Sequence, residues 1–195
     1  TVRNVLACTY PRERMSVWVI ADNCTDDTAE QAKNAGAHIA VRNEPDQRGK
    51  GQALHWFLRS YADTLRESDF LVFLDADVTI ATDYLDCLAM AFSSSTYRAV
   101  QSYNGVANPE ENWRTALTYA GFAGVNHLRP LGQDRLFGGT LLKGTGMAFQ
   151  TDVLLERGWP ARSIVEDMEM TLCLAKEDIA VHYCPEAWMI SRAES

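Results

Sequence analysis

No apolar run in this chain approaches the roughly 20 residues that a membrane-spanning helix needs, and no leader pattern is visible. Its five cysteines, Cys8, Cys24, Cys87, Cys173 and Cys184, are odd in number and include no C-x-x-C pair. That excludes a disulfide framework or a cysteine zinc site, and points to free thiols in a reducing compartment. His38, His55, His127 and His182 have no metal-ligand spacing. There is no Walker loop, internal repeat, low-complexity tract or obvious linker. Positive charge is also short. The net charge of −8 argues against a nucleic-acid duplex as partner.

What is present is ordinary globular composition, 47% hydrophobic and 23% charged, enough to bury a core. At 195 residues a single domain is expected over 1–195. The opening Thr1–Cys8 reads as the second half of an amphipathic helix, so the domain is expected to be incomplete at its N-terminus.

The most informative feature is Phe70-Leu71-Val72-Phe73-Leu74-Asp75-Ala76-Asp77-Val78. A short, continuously apolar run reads as a buried parallel strand. Two carboxylates then emerge at its C-terminal end, where open α/β sheets bind ligands. Positions i and i+2 of an extended segment point the same way. Two hard oxygen ligands at one spot suit magnesium or manganese shared with a substrate phosphate. Against this stands a plain strand-end turn with two solvated aspartates.

Strands are predicted at 16–21, 38–41, 70–74, 98–102, 147–149 and 180–183. Helices are predicted from Asp27, over 53–61, over 82–92, from an Asn108 cap to about His127, over 151–156 and over 166–176. Leu131 to Gly146 reads as a Gly-rich loop. Strand–helix alternation of this kind predicts a mostly parallel sheet flanked by helices.

Four other segments could carry chemistry. Asp22 sits at a strand end in Asp22-Asn23-Cys24-Thr25-Asp26-Asp27-Thr28, while Asp27 reads as a helix cap with Glu30. Arg48-Gly49-Lys50-Gly51 opens a helix and could cradle an anion. Lys143-Gly144-Thr145-Gly146 permits close backbone approach to a substrate, or simply enters a strand. Glu166-Asp167 begins a helix, where acids either favour the dipole or act as a general base. Trp159 lies near that pair, although packing is the commoner role of such a residue.

In this order, the Asp22 turn, R-G-K-G-Q-A-L, F-L-D-A-D-V, L-K-G-T-G-M and V-E-D resemble the family 2 inverting glycosyltransferases of GT-A fold. The branch most similar is the membrane-associated bacterial one that includes polysaccharide synthases. The resemblance implies a Rossmann-like GT-A domain, with a nucleotide-binding half to about residue 80 and an acceptor half from about 81. It implies that Asp22, Lys50, Gly51 and Asp75 contact the nucleotide. Asp75 and Asp77 would serve a divalent cation, manganese or magnesium, that bridges the diphosphate. Asp167 would be the catalytic base, with Glu166 beside it. Lys143, Gly144, Thr145, Gly146 and Trp159 would line the donor and acceptor side. The implied partners are a nucleotide-sugar donor, with UDP ahead of GDP, and a carbohydrate or lipid-linked acceptor. The implied location is the cytoplasmic face of a bacterial inner membrane, with any membrane segments outside these residues.

The sequence departs from that family at three points. Its usual first strand would precede Thr1 and lie inside the sheet. Ala21 replaces the first acid of the Asp turn. No Q-x-x-R-W motif occurs. Two other functions fit some of the residues. Asp75-Ala76-Asp77-Val78-Thr79 matches a haloacid dehalogenase-like phosphatase, with Asp75 as nucleophile. The missing strand and Ala21 would suit a non-catalytic nucleotide-binding module.

Overall fold

The computed structural model describes residues 1–94, 96–160 and 165–194. Strands β1 (Trp18–Asp22) and β2 (His38–Arg42) pair in parallel around helix α2 (Thr28–Asn34), after a short α1 (Val2–Leu6). The α2 cap differs from the expected one. Asp26, not Asp27, accepts from the amide and hydroxyl of Thr28, and Asp27 instead accepts from Gln31. Helices α3 (Lys50–Ser60) and α4 (Ala62–Leu65) lead to β3 (Phe70–Phe73) and β4 (Val78–Ile80). Next come α5 (Tyr84–Ser94) and β5 (Ala99–Val106). Helices α6 (Trp113–Phe122) and α7 (Arg129–Phe137) are joined by the π-helical turn Ala123–Leu128. The remaining elements are β6 (Met147–Gln150), α8 (Thr151–Arg157), α9 (Glu166–Ala175) and β7 (Val181–Ser191).

The expected mostly parallel sheet is not what forms. A five-stranded sheet runs in the order β3-β6-β5-β7-β4, and only its β5–β7 pair is parallel. The β1–β2 ribbon is separate. Among the described residues β1 and β3 each leave one edge unpaired, so no ladder joins the two sheets. Strand β4 was not foreseen. Val78 and Ile80 are buried and Thr79 is exposed, a period-two pattern only three residues long.

Side-chain alternation puts the two faces of the five-stranded sheet into different cores. Met147 and Phe149 of β6 pack with α3, α8 and α9 through Leu54, Phe57, Leu154 and Met170. Ala148 packs with Val100, Met189 and the α5 residues Tyr84 and Leu88. The result is a helix–sheet–helix sandwich.

The segment from Asn108 to Gly146 departs furthest from expectation. Asn112, not Asn108, caps α6, accepting from the amides of Arg114 and Thr115 in a capping box. Asn108 is used instead to tether Ala193. The helix does not end near His127 but continues to Phe137, so residues 131–137 of the predicted loop are helical. Pro130 has no N–H to give the carbonyl of Asn126. The Tyr183 hydroxyl donates to that carbonyl at 3.0 Å, and the chain widens into the π turn at this point. Gly138, at φ 75°, then ends α7.

Candidate functional site

Residues 139–146 cross the sheet as a strap, and three buried polar side chains hold it down. Gln101, 1% exposed, accepts from the amide of Lys143 at 2.9 Å and donates to the carbonyl of Thr145 at 2.8 Å. It therefore grips the strap on both sides of Gly144. Ser102 donates to the carbonyl of Gly146 at 2.9 Å, with the Tyr84 hydroxyl 2.9 Å behind it. Thr171 of α9 accepts from the amide of Leu142 and donates to the carbonyl of Asp167. The strap and the Asp167 turn are thus fixed to one another.

Gly144 and Gly146 have φ of 78° and 66°, where an L side chain is strained. A Cβ on Gly146 would stand 2.1 Å from Ser102 Oγ and 2.3 Å from Met189 Cε. Gly146 is therefore required for packing. A Cβ on Gly144 would meet only Asp167, at 3.7 Å from Oδ2. Gly144 faces the carboxylate that the sequence singles out as a base.

The Lys50 ammonium completes the centre. It donates to the Asp75 carboxylate and to the carbonyl of Gly144. The amide of Asp75 donates to Thr145 Oγ1 at 3.0 Å. Lys50, Asp75, Gly144 and Asp167 come from four separate stretches of the chain and meet here. Glu166 is half-buried one residue away, at the start of α9. Lys143 donates to the carbonyl of Val125 in the π turn. Burial and the like charge of Arg129 push its ammonium below the ordinary lysine value, against the pull of Asp167.

Asp77 lies in the turn between β3 and β4 and is exposed. Asp75 also lies beyond the end of β3, so the pair sits on a turn and not on a continuing strand. Among the described residues no group of three or more His, Cys, Asp or Glu could hold a metal unaided. Two carboxylates on an open turn do fit the mode in which a cation takes one or two of them and fills its shell with phosphate oxygens and water.

Asp22 is engaged elsewhere. Its carboxylate accepts from Arg42 at 2.6 Å and from Asn23 at 3.0 Å, with Asn23 in the left-handed region. Gly51 is buried in the first turn of α3, behind Lys50. Trp159 does not line the site. It is 2% exposed and packs against Phe73 and Phe149, and its carbonyl accepts from His55. Its apolar bulk is worth more in the core than on a polar sugar.

Sequence reasoning missed Gln101 and Arg42. Each had a signal, since an amide inside an apolar strand and a guanidinium ending one are both costly to bury without partners.

The sequence profile described as "Glycosyltransferase like family 2" matches residues 1–194. The chain belongs to that family. A match from end to end leaves no support for the phosphatase reading of Asp75. Beta-monoglucosyldiacylglycerol synthase of Nostoc sp. is 29% identical over 191 residues, which are 94% of this chain and 40% of that protein. The enzyme of the same name from Synechocystis sp. is 28% identical over 181 residues, 89% of this chain and 36% of that one. This chain therefore spans about 40% of the length of the curated relatives it matches.

Two solved structures share the fold. A mannosyltransferase from Pyrobaculum calidifontis, in complex with GDP-Man and Mn2+, superposes with a TM-score of 0.69 at 21% identity, over 98% of this chain and 52% of that one. Glucosyl-3-phosphoglycerate synthase from Mycobacterium tuberculosis, in complex with Mn2+, UDP and phosphoglyceric acid, gives 0.61 at 20% identity, over all of this chain and 67% of that one. The α/β fold, with its mixed sheet, is thus shared with these two enzymes.

Proposed function

We propose that this family 2 chain is the GT-A catalytic region of an inverting glycosyltransferase. It moves a sugar from a nucleotide-diphosphate donor to an acceptor hydroxyl. The observation that carries this reading is the Lys50 bridge between Asp75 and the carbonyl of Gly144, with Gly144 against Asp167. That contact joins the nucleotide half, up to about residue 80, to the acceptor half beyond it.

Asp22, held by Arg42 and Asn23, would face the nucleotide base, with Gly51 in the helix turn that supports Lys50, and Lys50 and Asp75 would meet the diphosphate. Asp75 and Asp77 would hold manganese or magnesium. When bound, that cation neutralises charge developing on the departing diphosphate. Lys50 is placed to reinforce this through its ammonium. The Asp167 carboxylate removes the acceptor O–H proton as its oxygen bonds to the anomeric carbon and the bond to the diphosphate breaks. A single displacement inverts that carbon. The strap 143–146 presents backbone, not side chain, to the sugar.

The Mn2+ in both solved structures supports the cation, and their GDP-Man and UDP support a nucleotide donor. The name beta-monoglucosyldiacylglycerol synthase speaks of a glucosyl group on diacylglycerol, which supports a lipid hydroxyl as acceptor. With that acceptor, the whole protein works at the cytoplasmic face of a bacterial inner membrane.

The test is calorimetric titration of UDP and of GDP, with and without Mn2+, into the chain and into Asp77→Asn. Cation-dependent nucleotide binding that the substitution removes is the expected result. Binding that needs no cation, or that survives in Asp77→Asn, would overturn the role of the D-x-D turn. Binding without transfer or donor hydrolysis would favour the non-catalytic module.

A further inference from the structure

Helix α6, the π turn and α7 run on without a break from Trp113 to Phe137, with right-handed helical backbone at each junction. Steps of four, four, four, three, four and four mark out Trp113, Leu117, Gly121, Val125, Leu128, Gly132 and Leu136. Such spacing keeps to one side of a helix. The large residues of this series are all exposed, from Val125 at 50% to Leu136 at 77%, and the adjoining Phe137 reaches 81%. A Cβ on Gly121 or Gly132 would touch nothing within 4 Å, so these positions also face open space. The inward side is made by Thr115, Asn126, His127 and Pro130, which are buried or bonded to β5 and β7. A stripe of this length bearing Trp, Leu, Val and Phe is an unusual surface for a monomeric protein.

Its charge is the reverse of the chain's. Between Asn112 and Lys143 there are four basic residues, Arg114, Arg129, Arg135 and Lys143, and one acid, in a chain of net charge −8. That acid, Asp134, is turned to His182. Arg114, Arg129 and Arg135 are exposed, and each adjoins a stripe residue in sequence. Arg114 also lies over the Trp113 ring. An apolar stripe edged by arginines, on a helix too polar to span a bilayer, matches a helix lying in the interface of an anionic membrane.

We infer that the outer face of the Trp113–Phe137 helix docks on an anionic lipid bilayer. The location of the stripe gives that docking a use. The carbonyl of Val125, at its middle, is bonded to Lys143, which precedes the Gly144 that faces Asp167. Docking there brings the bilayer surface to the acceptor side of the cleft. This last step rests on the transferase reading; the docking itself does not.

The test is co-sedimentation of the chain with vesicles of phosphatidylcholine, with and without phosphatidylglycerol, at low and high salt and without nucleotide. Expected is binding to the anionic vesicles that weakens with salt. Arg114→Gln and Arg135→Gln should each weaken it about fivefold, equivalent to about 1 kcal/mol per basic residue. The double variant Leu117→Asp/Leu136→Asp should weaken it about tenfold or more. Because both leucines are exposed, that variant should keep its circular dichroism spectrum and its UDP titration. A folded chain that ignores anionic vesicles would overturn the inference, as would binding untouched by the leucine changes. Concentration-dependent self-association without lipid, abolished by the same changes, would assign the stripe to a second copy instead. A transferase that fails on donor but still binds vesicles would separate the two readings.

Discussion

The Lys50 ammonium and the Asp75 carboxylate, from the first turn of α3 and the turn after β3, are joined directly in the folded chain. The two side chains are 34% and 43% exposed, so water screens the pair. A partly solvated pair contributes at most about 1 kcal/mol to stability. Its value lies in position, since Lys50 also reaches the carbonyl of Gly144.

Lys50→Met therefore separates stability from binding. The urea midpoint should shift little, while UDP affinity in Mn2+ falls about tenfold, as expected for loss of a charged hydrogen bond. A large loss of stability with unchanged affinity would make the lysine a structural strut. Calorimetry and urea denaturation on the same sample decide it.

Asp167→Asn should leave nucleotide affinity close to that of the parent and lower turnover by about 10²- to 10⁴-fold, the usual contribution of a general base. A radiolabelled-donor transfer assay on the full-length enzyme gives the rate. Equal loss of nucleotide binding would place the carboxylate in the donor pocket instead.

The two strap glycines should behave differently. Gly146→Ala forces a Cβ into Ser102 and Met189 and should destabilise by several kcal/mol, or prevent folding. Gly144→Ala carries only the left-handed backbone penalty, about 1 kcal/mol, and its methyl meets the Asp167 carboxylate. Its thermal midpoint should fall modestly and its turnover steeply. Differential scanning calorimetry with a transfer assay tests both.

Trp159→Ala should cost about 3–5 kcal/mol, as for other large core aromatics. Trp159→Phe should keep the acceptor KM, because the ring is inside the core. A raised KM in a stable Trp159→Phe protein would return the residue to the acceptor side.

Burial pushes the Cys184 thiol up to about 11, from about 9 in the unfolded chain. The folded value is the higher one, so this stabilisation is complete below pH 9 and is lost as pH rises from 9 to 11. On the order of 2–3 kcal/mol should disappear across that window. Buried Tyr84 and Tyr183, also shifted upward by burial, add to the alkaline loss. Urea titrations at pH 7, 9 and 11 should show the decline, and Cys184→Ala should flatten part of it.

The long helix shows where local sequence signals stop. Asn108-Pro109-Glu110-Glu111 has the composition of a helix start, yet the cap is Asn112, because its carboxamide meets two free amides while Asn108 is drawn to Ala193. Leu131 to Gly146 read as a Gly-rich loop. Residues 131–137 of it are helical, and Tyr183, 57 residues beyond Asn126, donates to the carbonyl that Pro130 leaves open. Strand direction was equally hidden. Apolar runs announce strands, but their pairing depends on where each intervening helix returns the chain.

By itself the sequence determined the kinds of element and most of their positions, since apolar periodicity and capping are local. It also determined the chemistry available, through two aspartates after an apolar run, a lysine opening a helix, a glycine pair and an acidic pair. Tertiary structure alone decided that Lys50, Asp75, Gly144 and Asp167 meet, that Gln101 clamps the strap and that Trp159 is core. Contacts between residues tens of positions apart depend on burial and on the pairing of backbone groups across the whole fold, and no local pattern encodes them.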